Sequence, residues 1–200
     1  MGNAGPPTLV LKLGGSLAEN GRLKSIAALV ARARIPVVVV PGGGPFADAV
    51  RQAQPLLGIT DTLAHRLALL AMHQMGLVIA ALDARFVTAG SLDDIHAALA
   101  RDRIPVWLPF ALQHDDATLP ADWTVTSDAL AARLAERLCA PAVVLLKSGQ
   151  IPSEQSLEML TSAGIVDPWF EVVVARAGLD WHLSGNGDEA ALAARLGAAH

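Results

Sequence analysis

The sequence predicts an α/β protein, a three-layer α/β/α sandwich around a mainly parallel sheet. Two observations predict it. Short runs dense in Val, Ile and Leu, without strict alternation, suit strands covered on both faces. Those runs alternate with amphipathic helical patterns, an order that calls for right-handed crossovers. Strands are expected near 8–13, 36–40, 104–108, 142–147 and 171–175. Helices are expected near 22–34, 45–54, 60–84, 92–101, 127–139, 154–163 and 188–197. No repeat or low-complexity linker interrupts this order, so residues 1–200 are read as a single domain.

The first strand, Leu9-Val10-Leu11-Lys12-Leu13, runs into Gly14-Gly15-Ser16. A strand that ends in glycines before a helix exposes backbone N–H groups, and such groups hold phosphate oxygens. Lys12 lies inside the apolar run, where a charge is costly unless it meets an anion. The alternative is an edge-strand lysine whose ammonium snorkels to water. Ser16 is placed to cap the next segment or to contact a phosphate.

The second strand, Val37-Val38-Val39-Val40, ends in Pro41-Gly42-Gly43-Gly44. A flexible turn would account for some of these glycines. Three are more than a turn needs, and close approach of a ligand to the backbone explains the surplus. Asp48 is expected in the first turn of the following helix, where a carboxylate complements the dipole.

The 60–84 helix is apolar on most sides, as in a buried helix or an oligomer interface. Arg66 and His73 are seven apart and share a face of it. Arg66 suits an anionic acceptor, because a guanidinium grips phosphate through two oxygens; an interface salt bridge explains it equally well. The stretch 109–124 reads as a long surface loop. Asp128, in Thr126-Ser127-Asp128-Ala129-Leu130, opens the next helix; a dipole-stabilising carboxylate explains it as well as a functional one. Lys147 closes Val143-Val144-Leu145-Leu146, with Ser148-Gly149 behind it, at the strand end where α/β proteins bind ligands.

Bulk properties narrow the function. The net charge of −4 argues against a nucleic-acid partner. Mean hydropathy is high at +0.42, yet no uncharged run reaches the roughly 18 residues of a membrane span. Residues 1–7 lack a basic or apolar leader pattern, so no signal peptide is expected. The single cysteine, Cys139, excludes a disulfide within the chain, fits a cytoplasmic setting and is expected to be a small buried hydrophobe. The six histidines have no metal-binding spacing, and no dedicated metal site is expected. Trp123 lies five residues before Asp128, where it can border a site.

Phosphoryl transfer needs alignment and charge neutralisation more than covalent chemistry. Two lysines with an aspartate between them, and two N–H cradles, would supply both. Lys12-Leu13-Gly14-Gly15-Ser16, Pro41-Gly42-Gly43-Gly44, Ser127-Asp128-Ala129-Leu130 and Lys147 together resemble the amino-acid kinase superfamily. That superfamily includes carbamate kinase, acetylglutamate kinase, aspartokinase and uridylate kinase. The resemblance covers about residues 8–150 and implies a carbamate kinase-like fold.

By that resemblance Lys12 and Lys147 contact the transferred group and nucleotide phosphates, and Asp128 orients both lysines. Gly14, Gly15 and Ser16, with Ser148 and Gly149, form the nucleotide-phosphate side. Gly42, Gly43 and Gly44 form the acceptor side, joined by Arg66. The resemblance implies ATP and Mg²⁺ as cofactors, a phosphate or carboxylate acceptor, and a homo-oligomer. The stretches Asp61-Thr62-Leu63-Ala64-His65-Arg66 and Gly164-Ile165-Val166-Asp167-Pro168 are similar to the short kinases of the methanofuran pathway.

Two departures stand out. Many members follow the second lysine with Val-Asp-Gly, where this chain has Ser148-Gly149-Gln150. The glycine-rich nucleotide segment near the C-terminus is reduced to Ser184-Gly185-Asn186-Gly187-Asp188. A non-catalytic phosphate-binding or regulatory subunit on the same fold is therefore the competing reading.

Overall fold

A computed structural model describes residues 7–111, 116–151 and 156–198. Its centre is one parallel six-stranded sheet in the order β3-β4-β2-β1-β5-β6. The strands are β1 (Leu9–Leu13), β2 (Val37–Pro41), β3 (Phe86–Ala89), β4 (Ile104–Trp107), β5 (Ala142–Leu146) and β6 (Asp180–Ser184). The chain builds outward from β1 on one side, then returns to place β5 on the other. β1 is thus the switch point, and a crevice opens beyond its carboxyl end. Lys12 sits in this central strand, beside Val40 and Leu145, so an edge position is excluded.

Strand alternation divides the core in two. Val10, Val38, Val40, Val143 and Leu145 face α6 (Ser127–Arg137) and α8 (Pro168–Ala177). Leu11, Leu13, Val37, Val39 and Leu146 face α1 (Ser16–Glu19), α2 (Leu23–Val30) and α9 (Glu189–Arg195). Each fully buried aliphatic side chain contributes about 1.5–3 kcal/mol. Lys12 shares the face of Val10, and Lys147 continues that of Val143 and Leu145. Both lysines therefore project toward α6.

The helices α3 (Gly44–Leu57) and α4 (Asp61–Ala80) pair after β2. α4 is long and apolar enough to cross a membrane by length and composition, but it packs on β2, β3 and β4. It stops at Ala80, four residues before the expected end, and a short turn leads to β3 at Phe86. α5 (Leu92–Leu99) carries a capping box between Ser91 and Asp94. Helix α7 (Leu157–Ser162) falls within the predicted 154–163, whose first two residues lie outside the described ones. The loop after β4 is tied down where it is described: Asp116 binds Arg133 of α6 at 2.7 Å.

Three expectations are corrected. Residues 171–175 form part of α8, not a strand: Asp167 caps Phe170 N, Pro168 opens the helix, and Gly178 ends it in a left-handed conformation. These end signals override the β-branched run Val172-Val173-Val174. Asp48 is in the second turn of α3, because the helix already begins at Gly44. Cys139 is exposed with φ +51, since α6 ends before it and the chain reverses there toward β5. The leader region at residues 1–6, His114 and His200 lie outside the described residues.

Candidate active site

The carboxyl ends of β1, β2 and β5 bring both glycine turns and both lysines to one cleft. It holds about 650 Å³ of empty space, including solvent at its mouth. Lys12, Gly15, Ser16, Gly42, Gly43, Gly44, Asp128 and Lys147 all line it. Asp128 bridges the two cations. Lys12 Nζ lies 2.9 Å from Oδ1, and Lys147 Nζ donates to Oδ2 at 2.5 Å. The Oδ1 contact is an ion pair without a well-directed hydrogen bond.

Burial by itself would raise the Asp128 carboxyl; the two lysines outweigh it and hold the group below the usual carboxylate range. Burial lowers Lys147, and repulsion from Lys12 lowers it further. Two ammonium groups thus share one carboxylate. The bridge carries one more positive than negative charge, turned toward the cleft through the part-exposed Lys147, and an anion there would balance it.

Asp128 is held in place by Asp167, a residue to which sequence reasoning gave no role. Asp167 Oδ2 accepts from Thr126 N (2.9 Å), Thr126 Oγ1 (2.7 Å) and Ala129 N (3.0 Å). Its other oxygen caps α8. Burial, then the nearby Asp128, raises its carboxyl. Its sequence trace is the Asp-Pro helix start.

The glycine turns pack backbone against backbone. A Cβ on Gly15 would lie 2.2 Å from Gly44 N, and one on Gly42 would lie 2.5 Å from Gly15 N. The close approach of the turns therefore demands glycine before any ligand does. Gly14 N donates to Leu146 O at 2.9 Å, tying the first turn to β5. Ser16 Oγ is 2.7 Å from Ser148 Oγ, while the backbone of Gly15, not a Ser16 side chain, caps α1. Gly149 O accepts from Asn186 N, and Lys147 N donates to Ser184 O. The short C-terminal glycine segment is thus closed onto the loop after Lys147.

A second pocket, of about 390 Å³ including open space, shares Gly43, Ala47, Arg51, Thr126 and Ser127 with the cleft. Its own walls are His65, Ala68, Leu69, Met72, Trp123, Val125 and Leu130. Trp123 does border the site. Its Nε1 donates to Gln54 Oε1 at 2.6 Å, and the Arg51 guanidinium sits 4.7 Å from its ring centre. Arg66 is exposed and lines neither space; Arg51, on α3 and not on α4 where a guanidinium was expected, stands at the junction. His73 Nε2 accepts from Phe110 N at 2.9 Å. Among the described residues, no cluster of three or more metal-ligating side chains forms.

The fold is thus a parallel α/β sheet whose carboxyl edge sets a bridged lysine pair between two glycine turns. The chain belongs to the amino acid kinase family, whose model matches residues 7–150. It is 28% identical over 139 residues to the [5-(aminomethyl)furan-3-yl]methyl phosphate kinase of Methanocaldococcus jannaschii. That match covers 68% of this chain and 63% of the relative. The fold is similar to uridylate kinase from Archaeoglobus fulgidus (TM-score 0.71, 19% identity, 94% of this chain and 95% of that one). It is also similar to UMP kinase from Bacillus anthracis (TM-score 0.69, 16% identity, 98% and 94%).

Proposed function

We propose that the protein is an ATP-dependent kinase that phosphorylates a small organic monophosphate and forms a diphosphate. The carrying observation is the Lys12–Asp128–Lys147 bridge, whose surplus positive charge faces a cleft between two glycine turns. The cleft fits a nucleotide's phosphates. Lys12 and Lys147 would hold the transferred group, with Gly15 and Ser16 on the donor side of the cleft; Gly14, Ser148 and Gly149 would back that side without lining it. Gly42, Gly43, Gly44 and Arg51 form the acceptor side. Mg²⁺, carried on the nucleotide, would supply further neutralisation of phosphate charge.

In the transfer an acceptor phosphate oxygen attacks the γ-phosphorus, the bond to the β-bridging oxygen breaks, and ADP leaves. Asp128 does not take a proton, because its carboxyl stays ionised between the lysines. Its work is to fix the two ammonium groups where charge develops. The relative's name supports a furan-methyl phosphate acceptor and a place in methanofuran biosynthesis. Leu56, Leu57, Leu63, Leu70 and Leu77 are exposed along α3 and α4 and support a homo-oligomer in this reading. The reading takes the chain as one cytoplasmic domain.

The competing reading, a phosphate-binding subunit without turnover, is favoured by the missing acid after Lys147. ADP release measured with MgATP and [5-(aminomethyl)furan-3-yl]methyl phosphate, with UMP and aspartate alongside, separates the two. The account expects ADP with the furan phosphate. No ADP above background with any acceptor would overturn it.

A further inference from the structure

Within the second pocket, α4 contributes His65, Ala68, Leu69 and Met72. Their spacing of three, four and seven places them on one helix face. Three are apolar, so His65 is the sole polar group that α4 offers. Its ring is fixed. Nδ1 donates to the carbonyl oxygen of Asp122 at 3.1 Å, which leaves Nε2 as the lone-pair nitrogen. Burial lowers its pKa and keeps the ring neutral, although the Asp122 carbonyl works the other way. Nε2 has no hydrogen-bond partner among the described residues. Arg51 is the pocket's charged side chain, and it stands at the junction with the cleft.

Arg51 and His65 therefore ask for different chemistry. Arg51, which also lines the cleft, suits an anionic phosphate, and Nε2 of His65, which lines only the pocket, suits a donor. Leu69, Met72, Leu130 and Trp123 in the same lining suit a flat ring. We propose that His65 is a specificity residue, accepting a hydrogen bond through Nε2 from an amine on the ring of the acceptor. The acceptor class is then a compact amino-bearing aromatic monophosphate, in place of a nucleotide or an amino acid. This inference rests on the kinase reading above and concerns the same acceptor site.

Calorimetry with [5-(aminomethyl)furan-3-yl]methyl phosphate and its 5-methyl analogue tests it on wild type, His65→Gln and His65→Leu. Wild type should bind the amine at least about tenfold more tightly, the effect of one well-made hydrogen bond to a charged donor. His65→Leu should reduce that preference to less than about twofold. His65→Gln, which restores an acceptor, should keep part of it. Equal wild-type affinities, or a preference that survives in folded His65→Leu, would overturn the proposal. If His65→Leu does not fold, the nitrogen-15 spectrum of the wild-type imidazole decides. Nε2 should shift with the amine and not with the methyl analogue; no such difference would overturn it. Turnover of both compounds with equal affinity sinks this inference alone. Failure of wild type to bind or turn over either sinks the kinase reading with it.

Discussion

The cleft and the pocket beside it share five lining residues, yet they are built on different physics. In the cleft, charge is fixed by charge: Asp128 holds Lys12 and Lys147, and Asp167 holds the turn that carries Asp128. In the pocket, largely apolar walls from α4 and α6 surround a histidine nitrogen, Thr126, Ser127 and a half-exposed guanidinium that pairs with Asp48. In the proposed reading, chemistry and choice of substrate are therefore separable. Rate should respond to the first region and acceptor affinity to the second.

The largest effect that would break this division is expected at Asp128. Asp128→Asn leaves the buried Lys12 and the part-buried Lys147 without their shared anion. The rate of ADP formation should fall by about 10²–10³, the scale for losing one preorganised electrostatic contact. Stability at pH 7, measured by denaturant unfolding, should fall by about 3–5 kcal/mol. The Asp128 carboxyl is depressed in the fold, so its contribution is fully present above the unfolded value near pH 4. It is lost as pH falls through the lower folded value. The stability gap between wild type and Asp128→Asn should therefore close in acid.

A smaller effect sharpens the other side. Arg51→Ala should raise the acceptor KM about tenfold and leave kcat within about threefold, because it removes binding and spares the lysine bridge. A kcat loss as large as that of Asp128→Asn, measured in the same initial-rate assay, would erase the distinction between the regions.

The cleft was more legible in the sequence than the pocket, for a physical reason. Lys12, Lys147 and the glycine turns sit at the ends of dense Val and Leu strands, and parallel strands deliver their ends to one edge. Periodicity of two then sets both lysines on one face. The pocket depends on which side of α4 is buried, and that helix is apolar nearly all round. No face could be read from it, so Arg66 was favoured while His65 and Arg51 were not.

The fold divides in the same way. β1, β2 and β5 are central and buried on both faces, and their pattern shows it. β3 and β6 form the sheet's two edges. One is only four residues long, and the other, Asp180-Trp181-His182-Leu183-Ser184, carries polar groups that weaken the strand pattern. At 171–175 the end signals Asp167-Pro168 and Gly178 decided for helix against a run of valines.

The central claim is that the bridged lysine pair is a phosphate site. Calorimetric titration of MgATP into wild type and Lys147→Ala tests it most directly. In the variant, Lys12 and Asp128 can still pair, but the surplus positive charge is gone. The account predicts saturable binding to wild type and at least about tenfold weaker binding to Lys147→Ala, a loss of about 1.4 kcal/mol. No wild-type binding at millimolar nucleotide, or equal affinity in the two proteins, would contradict it.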